Sequence, residues 1–172
     1  MGPRPFMSVI LKVLAATNQT LARAGLWLSM LGLVAMSVII GWQIWGRYVL
    51  NDTPDWSERL SLFLMNYYIL LAAAVGVRER FHIGLVFIKE SLPAAPRRAT
   101  EVVIHLLIAT FGASMAWYGG QMSVATWSHD IPTLGVPTGA GYLPFPIAGV
   151  LIIAFSAEHI LRALAGTAEA AP

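Results

Sequence analysis

The chain has 172 residues, of which 57% are hydrophobic and only 12% are charged. Soluble domains carry about 25% charged residues, and each helix of a soluble bundle needs a polar outer face, so this composition argues against a soluble fold. The formal charge of +2 gives no indication of a nucleic-acid partner. Because the chain has no cysteine, disulfides and thiolate metal sites are excluded.

Four long windows of the sequence contain no charged residue. In chain order they are 23, 18, 28 and 27 residues long. A membrane-spanning helix needs about 20 predominantly apolar residues, so the windows fit one span each. The sequence therefore predicts an all-α integral membrane protein with four transmembrane helices, which we place at 24–48, 57–78, 101–128 and 144–164.

The segment 5–23, before the first span, has a helical pattern of its own. Apolar side chains such as Phe6 and Ile10 gather on one side, and Lys12 and Arg23 lie opposite. This pattern predicts an interfacial amphipathic helix in the headgroup plane, with a plain extension of the first span as the alternative. The first apolar run is too long for a signal-peptide core and lacks a cleavage site, so we expect it to be retained as an anchor.

The Lys and Arg residues predict the orientation. Grouping alternate flanks of the spans places nine of them on one side and two on the other. By the positive-inside rule, both termini and the second loop are cytoplasmic. Within that second loop, the mixed apolar and charged stretch 81–92 before Pro93 predicts another interfacial segment.

The first two spans are separated by a very short turn, so they must fold back as an antiparallel hairpin. Two cap arrangements fit the start of the second helix. Asp55 and Glu58 have the spacing of a capping box, whereas Thr53 and Pro54 fit the cap and the first helical position. The sequence leaves both alternatives open.

Small residues recur at intervals of four in the third span, at Gly112, Ala116 and Gly120. Such spacing lets helix backbones approach closely in lipid, so these residues are candidates for helix packing. The alternative, that Gly and Ala are simply common in membrane helices, stays open.

The stretch 131–143 is rich in proline and glycine and has no charge. A regular helix does not run through such a sequence, and backbone without helical hydrogen bonds does not face lipid. We therefore predict an outward loop, whose prolines and the one that follows it form a rigid docking surface: Pro132, Pro137 and Pro144.

No constellation of residues predicts catalysis. His105 and His159 are placed at similar depth, and they are the one pair that suggests haem ligation, but no metal-ligand spacing supports it. The charged residues lie at span ends, where their stems reach water. We expect no enzyme, no metal and no cofactor, and no transport pathway within this chain.

Three segments of the hairpin carry a family resemblance: WGRYVLN at 45–51, WSE at 56–58 and RERFHI at 78–83. With IPTLGVP at 131–137 and YLPFPI at 142–147, they resemble the small membrane subunit of tripartite ATP-independent periplasmic (TRAP) transporters. The resemblance extends over residues 20–165. One departure is Arg59, where that family usually has a second acid after the glutamate.

The resemblance implies a function that the residues alone do not. Such a subunit is non-catalytic and scaffolds a larger, multi-span transport subunit in the bacterial inner membrane. A periplasmic substrate-binding protein serves the pair, and the system imports an organic acid with an ion gradient. Membrane lipids are the remaining partner. The alternative is a membrane anchor of a redox enzyme that binds haem or quinone at the histidines.

Nine residues are candidates for partner docking or membrane anchoring: Arg47, Tyr48, Trp56, Glu58, Arg78, His82, Pro132, Pro137 and Pro144. Two of these assignments have open alternatives. Arg47 and Glu58 either pair across the hairpin or are solvated separately, since exposed pairs contribute about 0–1 kcal/mol. Trp56 either contacts a partner or belongs to the aromatic belt at the headgroups.

Overall fold

The computed structural model describes residues 5–79 and 94–165, with side chains in 11–79 and 98–165. The predicted interfacial segment 81–92 and His82 lie outside the described residues. Within those ranges the elements in chain order are α1 (Pro5–Trp45), a turn of π-helix (Gly46–Leu50), α2 (Asp55–Arg78), α3 (Ala94–Ala125), β1 (Asp130–Ile131), β2 (Val136–Pro137), α4 (Thr138–Tyr142) and α5 (Pro144–Leu164).

Four helical segments of the described chain are long and apolar enough to cross a membrane. They are Leu11–Leu50, Asp55–Arg78, Arg98–Ala125 and Thr138–Leu164. The prediction of an all-α membrane protein with four spanning helices is therefore confirmed.

The first helix is continuous from Pro5 to Trp45, with no break at the predicted boundary between 5–23 and 24–48. At 1.5 Å per residue it is about 60 Å long, twice the ~30 Å thickness of the hydrocarbon core. Part of α1 therefore lies outside that core. The placement of 5–23 in the headgroup plane stays a prediction.

The hairpin turn depends on close backbone packing at Gly46. A methyl group there would lie 2.8 Å from the carbonyl oxygen of Asp52. The N–H groups of Asn51 and Asp52 both donate to the carbonyl oxygen of Gly46. Asn51 has φ 52°, in the left-handed region, which asparagine tolerates better than most residues.

Neither predicted cap forms at the start of α2. The helix begins at Asp55. With Pro54 in the first helical position it would begin one residue earlier, and with Asp55 as the N-cap of a capping box it would begin one residue later. Instead, the N–H and the hydroxyl of Ser57 donate to the carbonyl oxygen of Pro54 at 3.1 and 2.7 Å. A buried serine therefore closes the first turn from inside the helix.

The bundle has α2 and α5 at its centre, with α1 packed on α2 and α3 packed on α5. Its core consists of small and branched apolar side chains and one phenylalanine, from three helices: Ala22, Ala74, Val75, Ala148, Ile152 and Phe155. Elsewhere large apolar side chains are exposed along the spans, as expected of surfaces that face lipid or another membrane subunit.

Close approach of α3 and α5 depends on glycines from both helices. A methyl on Gly112 would lie 2.8 Å from Ile152 Cγ2, and one on Gly149 would lie 2.7 Å from the Ala116 nitrogen. Within the part of the chain that the structure describes, Gly120 does not share this contact, because a methyl there has no neighbouring atom within 4 Å. Gly120 is eight residues after Gly112, so its side points about 80° away from that of Gly112 around the helix axis. Gly119 is seven residues after Gly112 and differs by only about 20°, so Gly119 packs against α5 instead.

The loop 131–143 contains more structure than the sequence predicted. β1 pairs with β2 in antiparallel register, and Gly135 turns the chain between them at φ 61°. The five-residue helix α4 then fills the interval between Pro137 and Pro144, which contains no proline. Pro144 is the first residue of α5, where its missing N–H costs no hydrogen bond.

Candidate functional site

The helices bring the candidate residues to two opposite ends of the bundle. The end with the hairpin turn and residues 126–143 is called the loop end. The end where Asn18, Arg78, His105 and His159 meet is called the histidine end.

A cleft of about 520 Å³ opens at the loop end between the hairpin and the β1–β2 turn. It is lined by Gln43, Arg47, Thr53, Pro54, Asp55, Glu58, Arg59, Leu62 and Thr133. Two of these side chains are cationic and two are anionic. Among the described residues, none of the four charged side chains has an ion pair or a side-chain hydrogen bond.

Arg47 and Glu58 therefore line the same cleft without pairing with each other. Arg59, which stands where the resembling family usually has an acid, lines the cleft as well. The pair of acids in this chain is Asp55 and Glu58, one helical turn apart on α2.

The aromatic candidates are at the surface of the same end. The side chain of Tyr48 is 78% exposed and that of Trp56 is 40% exposed. Trp45, Trp127 and Tyr142 are also exposed there, which forms a belt of amphipathic rings of the kind found at headgroup level.

The three proline candidates have different environments. Pro132 is exposed in the β1–β2 turn, Pro137 is partly buried at the end of β2, and Pro144 is fully buried at the start of α5. The turn is thus available to a partner at Pro132, whereas Pro144 has a structural role within the fold.

Hydrogen bonds fix α4 against two spanning helices. The Tyr67 hydroxyl donates to the carbonyl oxygen of Ala140 at 2.6 Å, and the Ser123 hydroxyl donates to that of Gly139 at 2.8 Å. Sequence reasoning did not identify Tyr67 or Ser123, although a polar side chain on a buried helix face was a usable signal.

A second, more apolar cavity of about 290 Å³ adjoins the cleft and shares Arg59 and Leu62 with it. Its other lining residues come from α2, the strand pair, α4 and α5: Phe63, Asn66, Ile131, Thr138, Gly141, Tyr142 and Phe145. The two cavities lie next to each other along α2, with the charged cleft nearer the start of the helix.

The histidine end contains a buried polar network that joins α1 to α5. Asn18 is 1% exposed, and its amide donates to the Glu158 carboxylate at 2.6 Å and to the carbonyl oxygen of Ala154 at 3.2 Å. Glu158 also forms an ion pair with Arg162 at 2.5 Å. Sequence reasoning missed this network.

Two further contacts join α2 and α3 to this end of α5. His159 Nε2 lies 3.1 Å from the carbonyl oxygen of Arg78, and its ring stacks on that of His105 with centroids 4.5 Å apart and planes at 16°. Arg78 itself pairs with Glu79 at 3.2 Å. Arg78 is therefore at the opposite end of the bundle from Arg47, Trp56 and Glu58.

The stacked histidines do not fit the haem alternative. Two axial histidines bind an iron from opposite faces of the porphyrin, so the porphyrin must lie between their rings. The rings of His105 and His159 are in face-to-face contact instead, which leaves no space between them for a macrocycle.

The helices define the chain as a four-span membrane protein. Comparison with known proteins identifies its family. The family model of the DctQ component of tripartite ATP-independent periplasmic transporters matches residues 36–166. The chain therefore belongs to this family. It is a multi-pass membrane subunit of a TRAP transporter.

Individual relatives agree with this assignment. The chain is 24% identical over 130 residues to the sialic acid TRAP transporter small permease protein SiaQ of Vibrio cholerae, over 76% of this chain and 75% of that one. It is 25% identical over 144 residues to the C4-dicarboxylate TRAP transporter small permease protein DctQ of the same species, over 64% and 62%. A third relative is the isethionate TRAP transporter permease protein DctMQ of Oleidesulfovibrio alaskensis. It is 24% identical in an alignment 143 residues long, which covers 78% of this chain but 22% of that protein.

Proposed function

We propose that this chain is the non-catalytic small subunit of a TRAP-type importer, where it scaffolds a large multi-span transport subunit for ion-coupled uptake of an organic acid. One observation carries the proposal. The four spans contain no Asp, Glu, Lys, Arg or His between Arg23 and Arg47, in 60–77, in 106–128 or in 131–157. Transport sites normally place ionisable residues or broken helices near the bilayer midplane, so we assign the transport chemistry to a partner.

The relatives support a larger membrane partner. This chain matches only 22% of DctMQ, and 82 of its residues match 13% of the sialic acid TRAP transporter permease protein SiaT of Haemophilus influenzae. Proteins named as permeases thus contain a segment like this chain beside a much longer remainder. The relatives' names specify sialic acid, C4-dicarboxylates and isethionate, all organic acids.

We further propose that the subunit lies in the bacterial inner membrane with both termini in the cytoplasm. The described helices have the start of α1, the end of α2, the start of α3 and the end of α5 at the histidine end. With nine Lys and Arg residues in those flanks against two at the loop end, the positive-inside rule supports this orientation. The loop end then faces the periplasm, where a substrate-binding protein docks.

Reconstitution tests the scaffolding role. The tagged full chain is co-expressed with the large TRAP subunit of the same organism, purified, and inserted into proteoliposomes with the periplasmic binding protein outside. We expect co-purification of the two membrane subunits and ion-dependent uptake that stops when this chain is left out. Uptake of equal rate without it contradicts the proposal.

Photo-crosslinking tests the docking surface. A benzophenone side chain placed at Trp56 or Pro132 is expected to crosslink to a protein partner. The same side chain at the exposed Arg98 is the control, because Arg98 lies at the histidine end, on the opposite side of the membrane from the proposed docking surface. Capture of lipid alone at Trp56 and Pro132 assigns these residues to membrane anchoring instead.

A further inference from the structure

We infer that the cleft at the loop end binds the headgroup of a zwitterionic phospholipid, with phosphatidylethanolamine as its chemical type. The phosphate would lie against Arg47 and Arg59, and the ammonium against Asp55 and Glu58. One acyl chain would follow the adjoining cavity along α2. This site goes beyond the proposed function, because lipid binding is measured on the chain alone.

The first argument is charge complementarity. The cleft presents two guanidinium groups and two carboxylates, and none of these four groups pairs with another in the described residues. An anion alone would satisfy only the arginines and would meet the carboxylates with repulsion. A ligand with one phosphate and one ammonium satisfies both sets, since charged donors and acceptors form the stronger hydrogen bonds.

The second argument is the shape of the space. The charged cleft and the apolar cavity are neighbours that share Arg59 and Leu62 in their linings. From Arg59 the lining continues along α2 to Phe63 and Asn66, with Phe145 on the opposite wall. The lining changes from mostly polar in the cleft to mostly apolar in the adjoining cavity, which is the profile of a headgroup followed by an acyl chain.

The third argument is depth. Exposed aromatic side chains surround this end of the bundle: Trp45, Tyr48, Trp56, Trp127 and Tyr142. Aromatic rings of this kind sit at the headgroup level of a bilayer. The cleft is therefore at the height where phospholipid headgroups are present at high local concentration, and a soluble phosphate compound has no such advantage.

The structural consequence of such a lipid is a link between the hairpin and the strand pair. Arg47 and Asp55 belong to the hairpin, whereas Thr133 and Ile131, which line the cleft and the cavity, belong to the strand pair. A phospholipid in this position would bridge the hairpin and the β1–β2 turn.

Native mass spectrometry of the full chain tests the inference. The detergent-purified protein is mixed with phosphatidylethanolamine, phosphatidylglycerol or phosphatidylcholine, and retained lipid is counted. We expect preferential retention of phosphatidylethanolamine, because its primary ammonium donates hydrogen bonds to carboxylates and the quaternary ammonium of phosphatidylcholine does not. Soluble glycerophosphoethanolamine, added in excess, is expected not to displace it.

Two double variants separate the roles of the charges. Arg47→Gln with Arg59→Gln is expected to lower phosphatidylethanolamine binding about tenfold or more, since tenfold is about the size of one charged hydrogen bond. Asp55→Asn with Glu58→Gln is expected to remove the preference over phosphatidylglycerol while some binding of both lipids remains. Arg23→Gln with Arg98→Gln, which changes two exposed arginines of the histidine end, is the matched control. Circular dichroism confirms that each variant folds.

Three results would overturn the inference: no lipid retained, equal retention of all three lipids, or equal losses in the cleft variants and the control. Exclusive retention of phosphatidylglycerol that the acid variants leave unchanged would also overturn it, in favour of a simple anion site. Each result is obtained without the large subunit, so it is independent of the scaffolding role.

Discussion

The side-chain amide of Asn18 lies 2.6 Å from the carboxylate of Glu158, although 140 positions separate the two residues in the chain. Both side chains are almost fully buried. A carboxylate withdrawn from water needs hydrogen bonds to replace its hydration, and here Asn18 and Arg162 provide them. The bond fastens the N-terminal part of α1 to the last turns of α5.

Replacement of Asn18 by leucine tests this fastening. Asn18→Leu keeps the branching at Cγ but removes the donor, so Glu158 loses a buried charged hydrogen bond. We expect the free energy of unfolding to fall by about 1.5–3 kcal/mol. Unfolding of the detergent-solubilised chain by heat or by SDS measures it. The exposed neighbour Gln19 supplies the control, and equal losses for Asn18→Leu and Gln19→Leu would argue against the network.

Gly112 and Gly120 belong to the same four-residue pattern in α3, but we expect replacement by alanine to have opposite effects at the two positions. At Gly112 the new methyl meets Ile152 Cγ2 and the Gly149 carbonyl oxygen at 2.8 and 3.0 Å, so we expect Gly112→Ala to destabilise the bundle by about 1–3 kcal/mol. At Gly120 the methyl meets nothing, so Gly120→Ala should be neutral or stabilising by up to about 1 kcal/mol from helix propensity. The same unfolding assay compares the two, and a smaller effect at Gly112 than at Gly120 would refute the packing.

Removal of the Tyr67 hydroxyl should loosen α4. Tyr67→Phe deletes the bond to the Ala140 carbonyl oxygen, at a cost of about 0.5–1.5 kcal/mol. The expected result is faster amide hydrogen exchange in residues 138–143 with little change elsewhere. Tyr68→Phe is the matched control, because no hydrogen bond involves the Tyr68 hydroxyl in the described residues. Unchanged exchange in Tyr67→Phe would mean that the Ser123 bond alone holds α4.

The β1–β2 turn should tolerate asparagine but not valine at position 135. Gly135 has φ 61° and open space around its α-carbon, so the backbone alone decides the outcome. Left-handed φ costs about 1–2 kcal/mol for most L-residues and less for asparagine. We expect Gly135→Val to weaken crosslinking at Pro132 and to speed hydrogen exchange in 130–137. Near-native behaviour is expected for Gly135→Asn, and indistinguishable variants would count against a strained turn.

The spans were predictable because hydrophobic length and charge spacing are local properties of the chain. The helix α5 extends over Pro144–Leu164, because the proline marks its start and the apolar run sets its length. The hairpin followed from a turn too short for any other connection. The start of α2 was misplaced because its first turn is closed by Ser57, a residue that neither cap motif includes.

The contacts between helices were less predictable, since they depend on helix rotation. A spacing of four residues keeps Gly112 and Ala116 beside α5 but turns Gly120 away from it. The Asn18–Glu158 bond had only a weak signal, a polar amide and an acid within otherwise apolar helix faces. The short helix α4 was missed because two of its five residues are glycines, which have low helix propensity. Its stability comes from hydrogen bonds donated by helices that are distant in the sequence.

At the loop end, α2 extends further along its axis than the level at which α4 lies. Gly141 of α4 lies against Phe63, since a methyl on this glycine would be 3.8 Å from the ring, whereas α2 begins eight residues earlier at Asp55, about 12 Å further along the axis. The hairpin turn therefore extends beyond α4 and forms one wall of the cleft. Thr133, in the turn between β1 and β2, also lines this cleft. The four charged side chains of the cleft are all exposed, so a ligand that enters it from the loop end reaches both signs of charge at once.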